Sequence, residues 1–239
     1  MHTPEVSSAK PQILARAVAI LTLLMVGGGI FAQGLVSDRL ISYSDAALTA
    51  RNILANRALF QTSFTVYLLE MACQIAFTAV YYLLLRPAGR NIALVATFID
   101  LSASIIKTTS RLFYIVPLFV LSGTPTLSAF TPQQLREIAL LLLRINDRGA
   151  AMSLGLFGIS GVLTAYLIIR STFLPRWLGI LSMIGAAGWL RFLFPALRFP
   201  PFSVIAVIAL LVLAVKCVWL IVFGVDEKKW VEENLMSAH

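Results

Sequence analysis

Long apolar stretches alternate with short polar connections along the whole chain. The apolar stretches cover about 13–36, 60–85, 91–116, 149–170, 177–194 and 202–225. Each is close to the 20 or so apolar residues that an α-helix needs to cross about 30 Å of hydrocarbon. The pattern therefore predicts an all-α, polytopic bundle of six transmembrane helices forming one membrane domain over 1–239. Two connections are tight turns built on breakers, Arg86-Pro87-Ala88-Gly89-Arg90 and the 170–176 stretch with Pro175. A third, 195–201, is rich in proline, and Pro117 is expected to mark the frayed end of the third span.

Two polar connections carry helical signals of their own. Ser44-Asp45 resembles a helix N-cap, and Ala47, Ala50, Leu54 and Ala58 recur at helical spacing, predicting an amphipathic interfacial helix over 44–59. Thr131-Pro132-Gln133-Gln134 reads as a capping box: threonine caps, proline takes the first helical position, and Gln134 reaches back. A single helix from there to Ile169 would be about 58 Å long at 1.5 Å per residue, roughly twice the hydrocarbon thickness. Two arrangements would resolve this. Either 132–145 lies outside or along the interface, or the helix breaks near Gly149. The fourth span is placed at 149–170. The tail from Asp226 is charged and expected to be helical around Trp230.

Composition reinforces this pattern. Hydrophobic residues make up 59% of the 239 and charged residues only 13%, against about 25% charged in soluble domains. The net charge of +8 lies mostly at the ends of apolar stretches, where lipid phosphates sit, so it argues for membrane lipids rather than nucleic acid as partner. Cys73 and Cys217 both lie in apolar stretches and suit inert packing. The run 17–32 after Lys10 and Arg16 is long for the apolar part of a signal peptide and is read as an uncleaved first span. Basic residues divide evenly between the two sides, but the two tightest turns are basic. This favours a cell-membrane protein with both termini cytoplasmic.

The turns carry a resemblance. Arg51-Asn52-Ile53-Leu54-Ala55, Leu84-Leu85-Arg86-Pro87, Arg90-Asn91-Ile92-Ala93-Leu94, Tyr166-Leu167-Ile168-Ile169-Arg170-Ser171 and Phe173-Leu174-Pro175-Arg176-Trp177-Leu178-Gly179 are similar to a bacterial integral membrane family, domain of unknown function 4386. The resemblance spans nearly the whole chain and implies no activity. It implies an acidic residue where this chain has Gln74, an arginine at Asp100 and a histidine near Asn146. The chain departs at all three.

Ionisable groups at membrane depth cost roughly 2.5–3.5 kcal/mol each near a helix centre and mark sites of interest. Glu70, Asp100, Lys107, Arg111 and Lys216 qualify. Asp100, Ser104, Lys107 and Arg111 share one face of the third span, and Glu70 with Gln74 one turn away lies on the antiparallel neighbour. These six are the candidate ligand-binding residues. With Lys216 they would form a polar seam through spans two, three and six. The seam could hold a small polar or lipid-like ligand, or be a set of ion pairs fixing helix register. Arg111 and Lys216 are expected to snorkel to opposite interfaces. Arg144, Asp147 and Arg148 form a second cluster, read as a solvated helix end or as an anion-binding lid. Gly27–Gly29 and Gly155, Gly158 and Gly161 are read as helix-packing notches.

The only histidines, His2 and His239, are terminal. No metal, cofactor or nucleophile–histidine constellation is expected. The leading reading is a membrane protein that binds or passes a small polar or lipid-like ligand. The alternatives are an accessory subunit or homo-oligomer using its surfaces for a membrane partner, and an intramembrane enzyme with Glu70 or Asp100 as the acid–base group.

Overall fold

A computed structural model describes residues 10–123, 125–194 and 199–236. His2, His239 and residues 195–198 of the proline-rich connection lie outside the described residues. Among the described residues the chain is helical, with no strand. Helix α1 (Pro11–Gly29) passes directly into a π-helical segment, Ile30–Ser37, and a last turn, Asp38–Leu40. Then follow α2 (Ala46–Ala55), α3 (Arg57–Leu85), α4 (Arg90–Leu121), α5 (Pro132–Arg170), α6 (Arg176–Ala187), α7 (Phe202–Val222) and α8 (Glu227–Met236). Short 3₁₀ turns lie at Arg86–Ala88, Pro125–Leu127 and Gly188–Phe192.

Among the described residues five segments are long and apolar enough to cross a membrane: Pro11–Leu40, Arg57–Ala88, Arg90–Leu121, Pro132–Arg170 and Phe202–Val222. The protein is therefore an all-helical, membrane-embedded chain. The expected fifth span differs from the others. Over 177–194 the chain forms the 12-residue α6 and the 3₁₀ turn Gly188–Phe192, which together rise about 28 Å. The proposed break near Gly149 is absent. α5 is one helix of 39 residues, about 58 Å long. It exceeds the hydrocarbon thickness and must tilt or project. Its capping box forms as expected: Thr131 Oγ1 accepts from Gln134 N at 3.3 Å, and Gln134 Oε1 accepts from Thr131 N at 2.8 Å. Ahead of α2, Asp45 rather than Ser44 is the cap, accepting from Leu48 N. Pro117 does not end α4, which continues to Leu121. Inside the helix the proline gives up one ladder bond, the one an N–H at 117 would make to Phe113 O.

The chain packs as two compact units: Met1–Leu23, Ile75–Leu101 and Gly155–His239 form the first, and Leu24–Gln74 and Ser102–Leu154 the second. In the first unit Leu14, Val18, Leu84, Leu167, Leu178 and Leu220 build the core. The C-terminal half of α5 packs antiparallel against α6 through small residues. A Cβ at Gly179 would lie 2.8 Å from Ile169 N and 3.0 Å from Ala165 O, one at Gly161 2.7 Å from Ala186 Cβ, and one at Gly158 3.1 Å from Ala186 O. The paired residue numbers sum to nearly the same value, as an antiparallel pair requires. Opposite Gly155 lies Leu193. The end of this unit that holds the basic turns is tied by main-chain and aromatic contacts. Gln12 Nε2 donates to Val225 O at 2.7 Å, Asp226 N to Phe173 O at 3.1 Å, and Trp230 Nε1 to Leu84 O at 2.9 Å. In the second unit the core gathers Ala32, Val36, Ile53, Phe60, Leu118 and Leu143.

Close approach of α5 and α6 leaves no room for a side chain at Gly179, because backbone atoms, Ile169 N and Ala165 O, stand in the way beside Ile169 Cγ1. Gly179→Ala is expected to destabilise by about 1–3 kcal/mol through overpacking. The drop in melting temperature of the purified protein, compared with Gly27→Ala, where a Cβ meets nothing within 4 Å, measures it.

Candidate functional site

The polar site grows from one stripe on α3 and one on α4. Phe60, Ser63, Tyr67, Glu70, Gln74 and Thr78 recur every three or four residues and so share a face of α3. Asp100, Ser104, Lys107, Arg111 and Tyr114 do the same on α4. The turn at Arg86–Ala88 makes the helices antiparallel, and each observed pair keeps a single register. Thr78 Oγ1 donates to Asp100 Oδ2, Lys107 Nζ to Glu70 Oε1 at 2.6 Å, the Arg111 guanidinium covers the Tyr67 ring 3.6 Å from its centroid, and Tyr114 OH donates to Ser63 Oγ at 3.1 Å. The first of these pairs belongs to the first unit and the other three to the second.

In the second unit the stripe becomes a buried network. Arg111 is only 3% exposed, and its Nη1 donates to Asn146 Oδ1 of α5 at 3.0 Å. Tyr67 OH donates to Gln33 Oε1 at 2.8 Å. Ser37 Oγ lies 3.2 Å from Tyr67 OH and 3.1 Å from Tyr114 OH. Ser37 Oγ and Ser63 Oγ approach the same carbonyl, Ala32 O, at 2.8 and 3.2 Å. That carbonyl belongs to the π-helical segment, where Asp38 N reaches back five residues to Gln33 O. Such wide turns are rare and concentrate at functional sites. Here two serine hydroxyls engage a carbonyl of the segment, and Gln33 is turned to the tyrosine. Phe60 stacks on Tyr114 at 4.4 Å, and Tyr67 meets Tyr114 edge to face at 5.3 Å.

Of the sequence candidates, Glu70, Lys107 and Arg111 meet in this network, with Gln74 and the buried Ser104 in the same unit. Asp100 falls in the first unit with Thr78. Two expectations are corrected. Arg111 does not snorkel: Asn146 and the Tyr67 face hold it inside the protein. Lys216 is also buried, at 9% exposure, with Nζ 5.2 Å from the Tyr81 ring centroid. An aromatic face supplies negative potential to a cation, which a climb to the interface would otherwise have to provide. Arg144, Asp147 and Arg148 lie on the exposed side of α5. Arg144 Nη2 donates to Tyr43 O at 2.7 Å and ties the loop before α2. Asn146, between them, turns inward.

Sequence reasoning missed Tyr67, Tyr114, Ser63, Asn146, Gln33 and Ser37. The first three were legible as the continuation of each stripe at helical spacing. Gln33 and Ser37 were not, because a π-helical segment turns side chains away from the positions that a 3.6-residue period predicts. Gly28 and Gly29 pack beside the ion pair. A Cβ at Gly28 would lie 3.4 Å from Val66 Cγ1, and one at Gly29 3.9 Å from Glu70 Oε1.

A family model described as a domain of unknown function, DUF4386, matches residues 17–224. No curated protein and no solved structure matches the chain.

Breaking the Glu70–Lys107 pair from one side leaves a buried charge alone. Glu70→Gln and Lys107→Met are each expected to destabilise by about 3–5 kcal/mol, and the double variant by much less than their sum. Thermal unfolding of the four proteins in one detergent, read as a double-mutant cycle, checks this. Additive losses would show the pair to be uncoupled.

Proposed function

Because the chain belongs to the DUF4386 family, whose name assigns no activity, we propose a function from the geometry of the α3–α4 stripe: the protein binds a small polar or lipid-like ligand inside the membrane. One observation carries this reading. The network of the second unit holds an arginine, a lysine and a glutamate at low exposure, with Glu70 and Lys107 keeping 10% and 13% of their side-chain surface open. Helix association in lipid is served by small residues and a few neutral hydrogen bonds. Three ionisable groups exceed that need, and charge on any of them comes at a large desolvation cost. Membrane-buried charges of this kind line ligand or ion pathways.

A second reading has its own support. Within the second unit the pairs from Glu70–Lys107 to Ser63–Tyr114 hold one register along α3 and α4, which is what charges serving only helix alignment would do. On that reading the chain is an accessory subunit whose surfaces meet a membrane partner or a second copy.

We place the protein in the cell membrane with both termini cytoplasmic. Supporting this, Gln12, the Arg86–Ala88 turn, Phe173 and α8 meet at one end of the first unit. That end gathers Lys10, Arg86, Arg90, Arg170, Arg176, Lys228 and Lys229. Clustered basic residues near span ends face the cytoplasm.

The charge-balanced double variant Glu70→Gln/Lys107→Met separates the two readings. Ligand binding predicts that native mass spectrometry of the detergent-purified protein detects a small molecule that this variant loses while keeping its melting temperature within a few degrees. If nothing co-purifies and only melting temperatures change, the accessory reading replaces it. For topology, a cysteine introduced at Met236 is expected to resist a membrane-impermeant maleimide in intact cells and to react after lysis. Labelling in intact cells would reverse the orientation.

A further inference from the structure

The buried charges of the second unit do not balance. Glu70 is neutralised by Lys107 at 2.6 Å. The Lys107–Glu70 pair does not include Arg111, and Asp147, the carboxylate that acts on Arg111 through space, lies on the exposed side of α5 rather than in contact with the guanidinium. A guanidinium cannot shed its proton to escape burial. Its hydrogen-bond acceptor is the neutral Asn146, and its Nε is buried with no acceptor at all. The Tyr67 face supplies quadrupole attraction but no charge. The interior of this unit therefore holds a cation with no carboxylate in contact, on a side chain whose Nε is unengaged.

From this we propose that Arg111 anchors a site for a monoanionic oxyanion, either a carboxylate or a phosphodiester. The proposal rests on the ligand-binding reading and names the ligand's chemistry. An oxyanion meets the Nε edge of a guanidinium with two parallel hydrogen bonds, a geometry that no other side chain supplies. Asn146 Oδ1 on Nη1 and the Tyr67 ring beneath hold that edge in a fixed orientation. A single negative charge closes the balance, and a dianion would reverse it.

Asn146→Asp is the decisive variant. It places a carboxylate where an amide oxygen already bonds Arg111, so the protein supplies its own counter-ion and loses the need for another. The full-length chain in dodecyl maltoside is titrated calorimetrically with oleate, acetate, dihexyl phosphate and oleyl alcohol. At least one of the three anions is expected to bind saturably at one per chain, and oleyl alcohol not at all. Acetate binding would indicate a soluble carboxylate, oleate alone a lipid-borne one, and dihexyl phosphate alone a phospholipid headgroup. Asn146→Asp is expected to keep or raise the melting temperature and to weaken the anion by roughly thirtyfold or more, as loss of a buried charge partner does. Arg111→Gln should weaken it equally. Unchanged anion affinity in Asn146→Asp would overturn the proposal. If oleyl alcohol binds like oleate and the Glu70→Gln/Lys107→Met variant abolishes both, the anion assignment falls and ligand binding stands. If no probe binds and nothing co-purifies, both fall.

Discussion

Arg111 cannot be neutral and is almost wholly buried, and much of the second unit is arranged around that constraint. Its guanidinium rests on Tyr67, and the phenol of Tyr67 is held by Gln33 and Ser37. Those two residues sit on a π-helical segment, and the carbonyl of Ala32 there is engaged by Ser37 and Ser63. Tyr114 closes the ring through Ser63 and through its stack on Phe60. Moving the cation by a turn in either direction would strand hydroxyls on three helical segments. In a low-dielectric interior each stranded group costs more than it would at a surface.

The same register that seats Arg111 also places Lys107 on Glu70. A ladder of polar pairs along two antiparallel helices is a strong alignment device, because a one-residue slip would rotate each partner by about 100° away from the other. Stability and ligand recognition need not compete for these residues. The Lys107–Glu70 pair satisfies itself, while Arg111 is satisfied in hydrogen bonding on one nitrogen and unsatisfied in charge. Alignment accounts for the first, whereas the second has no carboxylate in contact.

The first unit follows a different logic. There α5 and α6 meet through glycine and alanine, with backbone close enough to backbone that side chains are excluded. Lipid offers no hydrophobic gain for helix association, so close van der Waals contact replaces it. The short α6 is compatible with this because its neighbours α5 and α7 are long and the 3₁₀ turn Gly188–Phe192 extends its reach.

The hydropathy pattern alone located the helices, the tight basic turns, the capping box of α5 and the shared face of Asp100, Ser104, Lys107 and Arg111. Each of these is local: periodicity, caps and breakers act within a few residues of themselves. Three other features were decided by packing. α5 continues through Gly149 because Asn146 and Leu143 are drawn inward beside residues of α4, a reward that no propensity records. Arg111 stays inside rather than snorkelling because Tyr67 and Asn146, far from it in sequence, converge on it. Gln33 and Ser37 join the site because α1 widens to a π-helix where Ala32 can bond two serines. Sequence by itself thus determined where polar groups lie along each helix. Only the tertiary structure decided which of them meet, because a buried charge is stabilised by whatever partner the fold brings within a few ångströms of it.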